Sequence, residues 1–378
     1  MDFMHPVVRG FAHGWPIRGR CIHHRWHRAD NYSGHIRCLP SLQLLALSII
    51  LAQVGFFAAS LHTARAAEPS GLLRPLPVHN LYPPMLRFYE PLPVSAFEPY
   101  RRSLSIEILQ SYSSIFQYDS QPNGSLLADM EIYSLEFLLT KAISSQTEIR
   151  FMIPLYYSHE GFMDAFLRDY HDALRLPNSG RERRPDDEFS YLYENPADSE
   201  SWADQAGWDI GKLAVSLRQQ VYEGDNWTAA LLAGLTLPTA SSANGWSSGE
   251  PDIAIGGVAS WLKENWFGHL EGHFVHPFAN GSEITAYDDY VRLSTTLGYR
   301  FGSRWSLLAQ LQGGTSAYDS NIKQLYEDPW LVTFGARMAF GKSSSITVAF
   351  TEGITQHTSA DFSLTIGLDF HPFIKSLE

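Results

Sequence analysis

The chain has 378 residues, of which 44% are apolar, 13% aromatic and 18% charged, with a formal net charge of −12 and two cysteines. Abundant aromatics exclude disorder over the whole length, and beyond the N-terminal region no apolar run is long enough to cross a bilayer as a helix. Through Ala67 there are seven Arg, no Lys and two acids; subtracting these from 28 basic and 40 acidic residues leaves 21 against 38, a net of −17 that excludes nucleic acid as a partner.

Residues 1–66 have the layout of a secretory signal peptide with a long basic n-region. The uncharged run Leu42–Leu61 follows Arg- and His-rich sequence and precedes Ala64-Arg65-Ala66, a small-x-small cleavage signal. The alternative is an uncleaved anchor. Cys21 and Cys38 both lie in this segment, and no Cys follows the apolar run to carry a lipid. The mature chain is expected to start at Ala67 and to be exported to the outer membrane.

Residues 67–102 are Pro-rich and carry apolar anchors at Leu76, Val78, Leu81, Met85, Phe88 and Tyr89. Two placements are open for this periplasmic segment: a plug tucked into a barrel, or a loose tail.

From 103 to 373 the dominant period is two. In Phe362–Phe370, Phe362, Leu364, Ile366, Leu368 and Phe370 alternate with Ser363, Thr365, Gly367 and Asp369, so one strand face is apolar and the other small or polar. Twelve such segments occur, near 103–118, 126–141, 146–158, 207–222, 226–237, 251–263, 265–276, 289–301, 304–316, 329–341, 344–354 and 361–371. Their length exceeds the roughly 5 to 6 residues usual in soluble proteins and suits tilted strands crossing a membrane. The expected fold is all-β, a transmembrane antiparallel β-barrel of about twelve strands with one helical extracellular loop. Residues 374–378 form a tail.

Connections alternate in length. Ile143–Ser145, Glu223–Asp225, Lys263–Asn265, Phe301–Arg304 and Gly341–Ser344 are short, whereas 119–125, 159–206, 238–250, 277–288, 317–328 and 355–360 are mostly longer. Short periplasmic turns with long outer loops are the habit of outer-membrane barrels. Trp227, Trp261, Trp266, Tyr299, Phe301, Trp305 and Phe370 sit beside the short turns with the parity of the apolar face, which predicts an aromatic girdle at the headgroup level. A soluble sandwich would turn its apolar faces inward and would have no reason to gather tryptophans at one end.

Three phrases carry a family resemblance: Pro75-Leu-Pro-Val-His-Asn80, the stretch Phe162–Leu176 with Pro177-Asn-Ser-Gly180-Arg-Glu-Arg-Arg184, and Gly234-Leu-Thr-Leu-Pro-Thr239. Together they resemble the proteobacterial domain-of-unknown-function family 3187 over residues 71–373. The third phrase is shared with channels of phenol-degradation pathways. The resemblance implies an outer-membrane barrel and brings no catalytic residues.

In the longest loop, Phe162, Phe166, Tyr170, Ala173 and Leu174 share a helical stripe opposite Asp164, Arg168, Asp169, Asp172 and Arg175. This predicts a helix at the barrel mouth, with two placements open: a surface helix resting on the rim, or a lid that narrows the outer entrance. Arg181, Arg183 and Arg184 then adjoin Asp186, Asp187 and Glu188; the group either binds lipopolysaccharide phosphates or neutralises itself.

Parity turns Glu107, Glu136, Glu148, Arg150, Lys212, Arg218, His269, Glu271, His273, Arg292, Arg300, Arg337 and Asp369 into the lumen, where they need water or partners. His269, Glu271 and His273 alternate on one strand, but i and i+2 lie about 6.5 to 7 Å apart, so a polar wall is expected rather than a metal site. No nucleotide loop, Cys-x-x-Cys or His-Glu-x-x-His motif is present, and no catalytic residue or cofactor is assigned. The reading favoured is a passive channel or binding pore for a small solute, with hydrophobic cargo suggested by the resemblance. Its expected partners are outer-membrane lipid, lipopolysaccharide and the barrel-insertion machinery. The alternatives are a lipid-modifying enzyme, which would need its His and acid facing lipid, and a structural barrel presenting extracellular loops.

Overall fold

A computed structural model describes residues 69–97, 104–121, 124–175, 180–195, 201–282, 285–340 and 344–370. The expected signal peptide, with its cleavage site, and the C-terminal tail lie outside these residues. Twelve long strands follow in order: β1 (Leu104–Gln121), β2 (Gly124–Ala142), β3 (Thr147–His159), β4 (Leu213–Glu223), β5 (Trp227–Leu237), β6 (Asp252–Lys263), β7 (Trp266–Pro277), β8 (Tyr290–Phe301), β9 (Trp305–Gly314), β10 (Trp330–Phe340), β11 (Ser344–Gly353) and β12 (Phe362–Phe370). Each pairs antiparallel with the next, and β12 closes the ring on β1, with Ile106 opposite Phe370 and Ser114 opposite Phe362. Closure leaves no free edge among these strands, which is what lets a sheet cross lipid.

Alternation decides which side faces what. On β5, Leu231, Leu235 and Leu237 are exposed on the outside while Thr228, Leu232 and Thr236 are buried inside. Phe137, Phe151, Ile255, Leu270, Leu297, Leu307 and Phe334 continue the exposed apolar belt round the ring. An apolar surface on this scale needs lipid to cover it, so the barrel is a membrane-spanning one. Among the described residues no helix is long and apolar enough to cross a membrane.

The fourth segment departs from its expected span. Residues Gly207–Ile210 form a short separate strand on β3, and β4 begins only at Leu213. Pro154 of β3 has no N–H to pair there, and its carbonyl instead accepts a bond from the Gly211 N–H at 2.9 Å. β1 and β2 rise past their neighbours at the long-loop end, where Ser190–Glu194 pairs with β2 and Trp202–Asp204 extends that flap.

Within the ring runs a hairpin made of residues 71–97. Leu72, Leu76, Tyr82 and Met85 are fully buried, and a short helix α1 (Pro83–Leu86) forms the turn. The rising limb meets the short-turn end through Arg74, 2.8 Å from Asp369, and reaches the long-loop end where the Asn80 side chain donates to the Thr358 carbonyl at 2.7 Å. The returning limb descends past Arg292 at Glu90 and Glu271 at Val94 to Ser260 at Ala96.

Leu231 lies mid-strand on the outer face. Leu231→Arg should lower unfolding stability in lipid vesicles by about 2–4 kcal/mol, and Leu231→Ala by clearly less, as read by denaturant titration.

Candidate functional site: the occupied lumen

The lumen wall is polar because every second residue must turn inward and the apolar ones are taken by the outside. Its charged groups are paired with one another or with the hairpin. Lys212 lies 2.6 Å from Asp252, which also accepts a 2.8 Å bond from Thr236. Arg218 pairs with Glu148 at 3.1 Å and donates to the Ala96 carbonyl at 3.2 Å. Arg292 and Glu90 approach to 2.5 Å, and His79 meets Glu136 at 2.7 Å. Arg74 bridges Glu107 and Asp369 at 3.6 and 2.8 Å.

Wall side chains also read the hairpin backbone. Gln310 accepts from the Leu76 N–H and donates to its carbonyl, both at 3.0 Å, as a neighbouring strand would. Gln312 donates to the Val78 carbonyl at 2.9 Å. Arg337 reaches the carbonyls of Gly71, Arg74 and Pro75 at 3.3, 2.9 and 2.9 Å. A polar group buried without such a partner would cost on the order of 1–3 kcal/mol, so each of these wall–hairpin bonds removes a cost of that size.

Glu107, Glu136, Arg150, Lys212, Arg218, His269, Glu271, His273, Arg292, Arg337 and Asp369 are all buried within the ring. Arg150 donates to Thr140 at 3.1 Å. Arg300 stands apart, half-buried at the short-turn end, 3.5 Å from the Asn265 side chain. His269 bonds Ser260 at 2.8 Å and His273 bonds Glu271 at 2.6 Å. Among the described residues no three His, Cys, Asp or Glu side chains are grouped to hold a metal. Neither His faces lipid, where a lipid hydrolase would need it.

At the long-loop end the hairpin turn is sealed into an aromatic cap. Tyr156, Tyr191, Tyr193, Trp202, Trp246 and Tyr290 are buried around Tyr82, Met85 and Phe88, and the Arg87 guanidinium stacks 3.9 Å over Trp202. Below the cap a cavity of about 40 Å³ lies between the returning limb and the wall, lined by Glu90, Arg150, Arg218, Glu271 and His273. A water needs roughly 10 to 15 Å³ of such space, so the cavity admits a few waters and no solute. Gly234, in the third resemblance phrase, leaves room for the hairpin: a Cβ there would come 2.4 Å from the Tyr89 ring.

The helix of the longest loop is α2 (Asp164–Leu174), and its placement corrects the lid, one of the two placements read from sequence. It lies on the outer wall and not over the mouth. Its first turn is anchored by Glu131, which accepts from Phe162 N at 3.0 Å and Met163 N at 2.6 Å and also bonds the Tyr112 hydroxyl. Both Glu131 and Tyr112 belong to outward positions of β2 and β1. Met163, Leu167 and His171 are buried, whereas Phe162 and Phe166 are 54% and 56% exposed and Tyr170 is partly exposed. The Leu174 side chain lies outside the described residues. The stripe richest in rings is the outer one here, because a wall facing lipid does not force rings inward.

Two arginines of the basic cluster nearby are paired with acids. Arg181 pairs with Asp164 and, at 2.6 Å, with Asp361. Arg184 pairs with Asp129 and Glu188 at 3.1 and 3.0 Å. Arg168 grips Asp186, and that hydrogen bond holds the Asp186 carboxyl below its ordinary value.

At the short-turn end, Trp227 lies opposite Trp261, Trp266 packs on Tyr299 at 4.8 Å, and Tyr299 on Phe301 at 4.7 Å. Trp305 is opposite Phe301 in register, and Phe370 packs on Phe340 at 6.4 Å. Rings on adjacent outward positions here have the arrangement of an interfacial girdle. A second row, not read from the sequence, crosses four neighbouring strands at the other end: Tyr112 is opposite Tyr133, Tyr133 opposite Tyr157, and Tyr157 opposite Trp208. Parity held the signal, since each ring shares the apolar face of its strand.

Residues 51–371 match the sequence profile of DUF3187, a protein family of unknown function. The chain belongs to that family. No curated protein matches it. Among solved structures, this DUF3187 protein is similar to the COG4313 outer membrane channel from Pseudomonas putida F1, with a TM-score of 0.48, 10% identity, and coverage of 72% of this chain and 97% of that one. The NanC porin gives 0.40 at 8% identity, covering 70% and 98%. The CymD monoaromatic hydrocarbon channel gives 0.34 at 11%, covering 82% and 94%.

Gln310→Ala removes two hairpin bonds worth about 1 kcal/mol each. The hairpin of the DUF3187 protein should then become about 30-fold more accessible to added protease, as measured by cleavage rate in native detergent.

Proposed function

We propose that this protein is an outer-membrane channel that passes a small solute passively, closed in this conformation by its own residues 71–97. The observation that carries the reading is the way the wall holds the hairpin. Gln310, Gln312, Arg337, Ser260 and Glu271 bond its main-chain groups, and main-chain partners can be exchanged for water without a change in the wall. A ring of twelve strands is wider than the roughly eight that side chains fill unaided. Withdrawal of the hairpin therefore opens a wet, charged passage and not a dry void. Both limbs return to the short-turn end, so the segment has a route out on the side where short turns place the periplasm. Export through a cleaved N-terminal signal and insertion by the barrel machinery accompany this reading.

The charged wall favours a water-soluble solute, although Phe267 and Leu308 place apolar surface in the lower lumen as well as at the aromatic outer mouth. A lipid-modifying role gains no support from the inward His269 and His273.

The test is single-channel conductance in planar bilayers. Pro77→Cys with Gly367→Cys joins hairpin to wall, since a Cβ at Gly367 lies 3.8 Å from the Pro77 ring and meets no backbone atom closely. In a background with Cys21 and Cys38 replaced by Ser, cross-linking the pair with a short thiol reagent should abolish openings, and cleaving the link should restore them. Conductance unchanged by the cross-link, or none from the uncross-linked folded barrel under any applied voltage, overturns the reading.

A further inference from the structure

Helix α2 divides its circumference among three surroundings. Successive helical residues are about 100° apart, so Leu167 and His171 form one stripe, and these side chains are buried, as is Met163 at the N-cap. Roughly 100° to one side of that stripe stand Phe166 and Tyr170, with Phe162 just before the helix. Roughly 100° to the other stand Arg168 and Asp172. A surface helix of a soluble protein needs two faces; three faces suit a helix with protein behind it, apolar medium on one flank and water on the other.

The contacts orient these flanks. β1 climbs from the short-turn end, so Tyr112 lies nearer the middle of the membrane than Ser114 and Phe116. The Phe162 ring lies 5.6 Å from Tyr112. On the polar flank Arg168 pairs with Asp186, and Arg181, paired with Asp164, sets its guanidinium 5.1 Å from the Phe116 ring. The ring flank thus faces down toward the belt, and the charged flank faces up toward the 180–188 segment.

Tyr112 is also the last member of the outer aromatic row that begins at Trp208. Phe162 extends that row past β1, and Phe166 stacks on Tyr170 with centroids 6.2 Å apart and planes at 17°. The helix runs toward the start of β12, where His171 comes near Asp361 and Arg181 pairs with it.

We propose that α2 is an interfacial helix whose Phe162, Phe166 and Tyr170 sit in outer-leaflet lipid at the headgroup boundary, continuing the long-loop girdle round the barrel. The occupant of this face is lipid, because the face is continuous with the belt and shares its chemistry: amphipathic helices with aromatic apolar flanks and charged opposite flanks lie in this layer, and rings prefer it. The inference rests on the barrel spanning a bilayer and is independent of what crosses the lumen.

Nitroxide labels report depth by whether they collide with oxygen, which partitions into lipid, or with a water-soluble nickel chelate. The full protein, with Cys21 and Cys38 replaced by Ser, is labelled singly at Phe166→Cys, at Asp172→Cys on the charged flank and at Leu231→Cys on the belt, then reconstituted in phosphatidylethanolamine–phosphatidylglycerol vesicles. Oxygen collisions are expected to outnumber chelate collisions at Phe166 as at Leu231, with the order reversed at Asp172. A Phe166 label that behaves like Asp172 while Leu231 reports lipid overturns the helix placement alone. A Leu231 label in water overturns the membrane placement and the helix with it.

Discussion

Every polar group turned inward on the twelve strands needs a hydrogen-bond partner or water, and alternation with a lipid-facing apolar belt turns many such groups inward. A narrow barrel meets this demand with side chains that fill its own axis. A wider one cannot, and here the chain brings its N-terminal hairpin into the ring. Gln310 treats Leu76 as a strand neighbour, Arg337 collects three carbonyls, and Arg292 takes Glu90. At the long-loop end the hairpin's Leu81, Tyr82, Met85 and Phe88 join the tyrosines and tryptophans of the cap. Below it, Leu73, Leu76 and Val78 pack with inward Phe267, Leu308 and Ala349 amid the polar contacts, so the lower lumen mixes hydrogen bonds with small apolar clusters.

The outside obeys the complementary demand. The belt of leucines, isoleucines and phenylalanines is bounded by rings at both ends, and α2 extends the boundary where it crosses β1. Inside and outside meet at the loop between β11 and β12. Thr358 accepts the Asn80 side chain from within, while Asp361 pairs with Arg181 on the outer wall. One short loop thus touches both the hairpin and the segment that braces the helix.

Much of this is legible in the chain because strand parity is a local property. Phe362 to Phe370 names its own two faces, and the turns after Ala142, Glu223, Lys263 and Phe301 are short enough to order the strands. Parity failed where a local pattern has two physical solutions. Phe162, Phe166 and Tyr170 form an apolar stripe whether they face a protein core or lipid, and Glu131, thirty-one residues before Phe162, settled the helix against the outer wall. Likewise 207–222 reads as one strand until Pro154 on the neighbouring strand interrupts its pairing.

The sequence by itself determined the twelve strands and their alternation, since each follows from a pattern within about a dozen residues. Only the tertiary structure decided what fills the ring and which flank of α2 is bare. Those outcomes depend on partners far apart in the chain, such as Glu90 with Arg292 and Asn80 with Thr358, 202 and 278 residues distant, and no local pattern specifies which distant group a buried charge will meet.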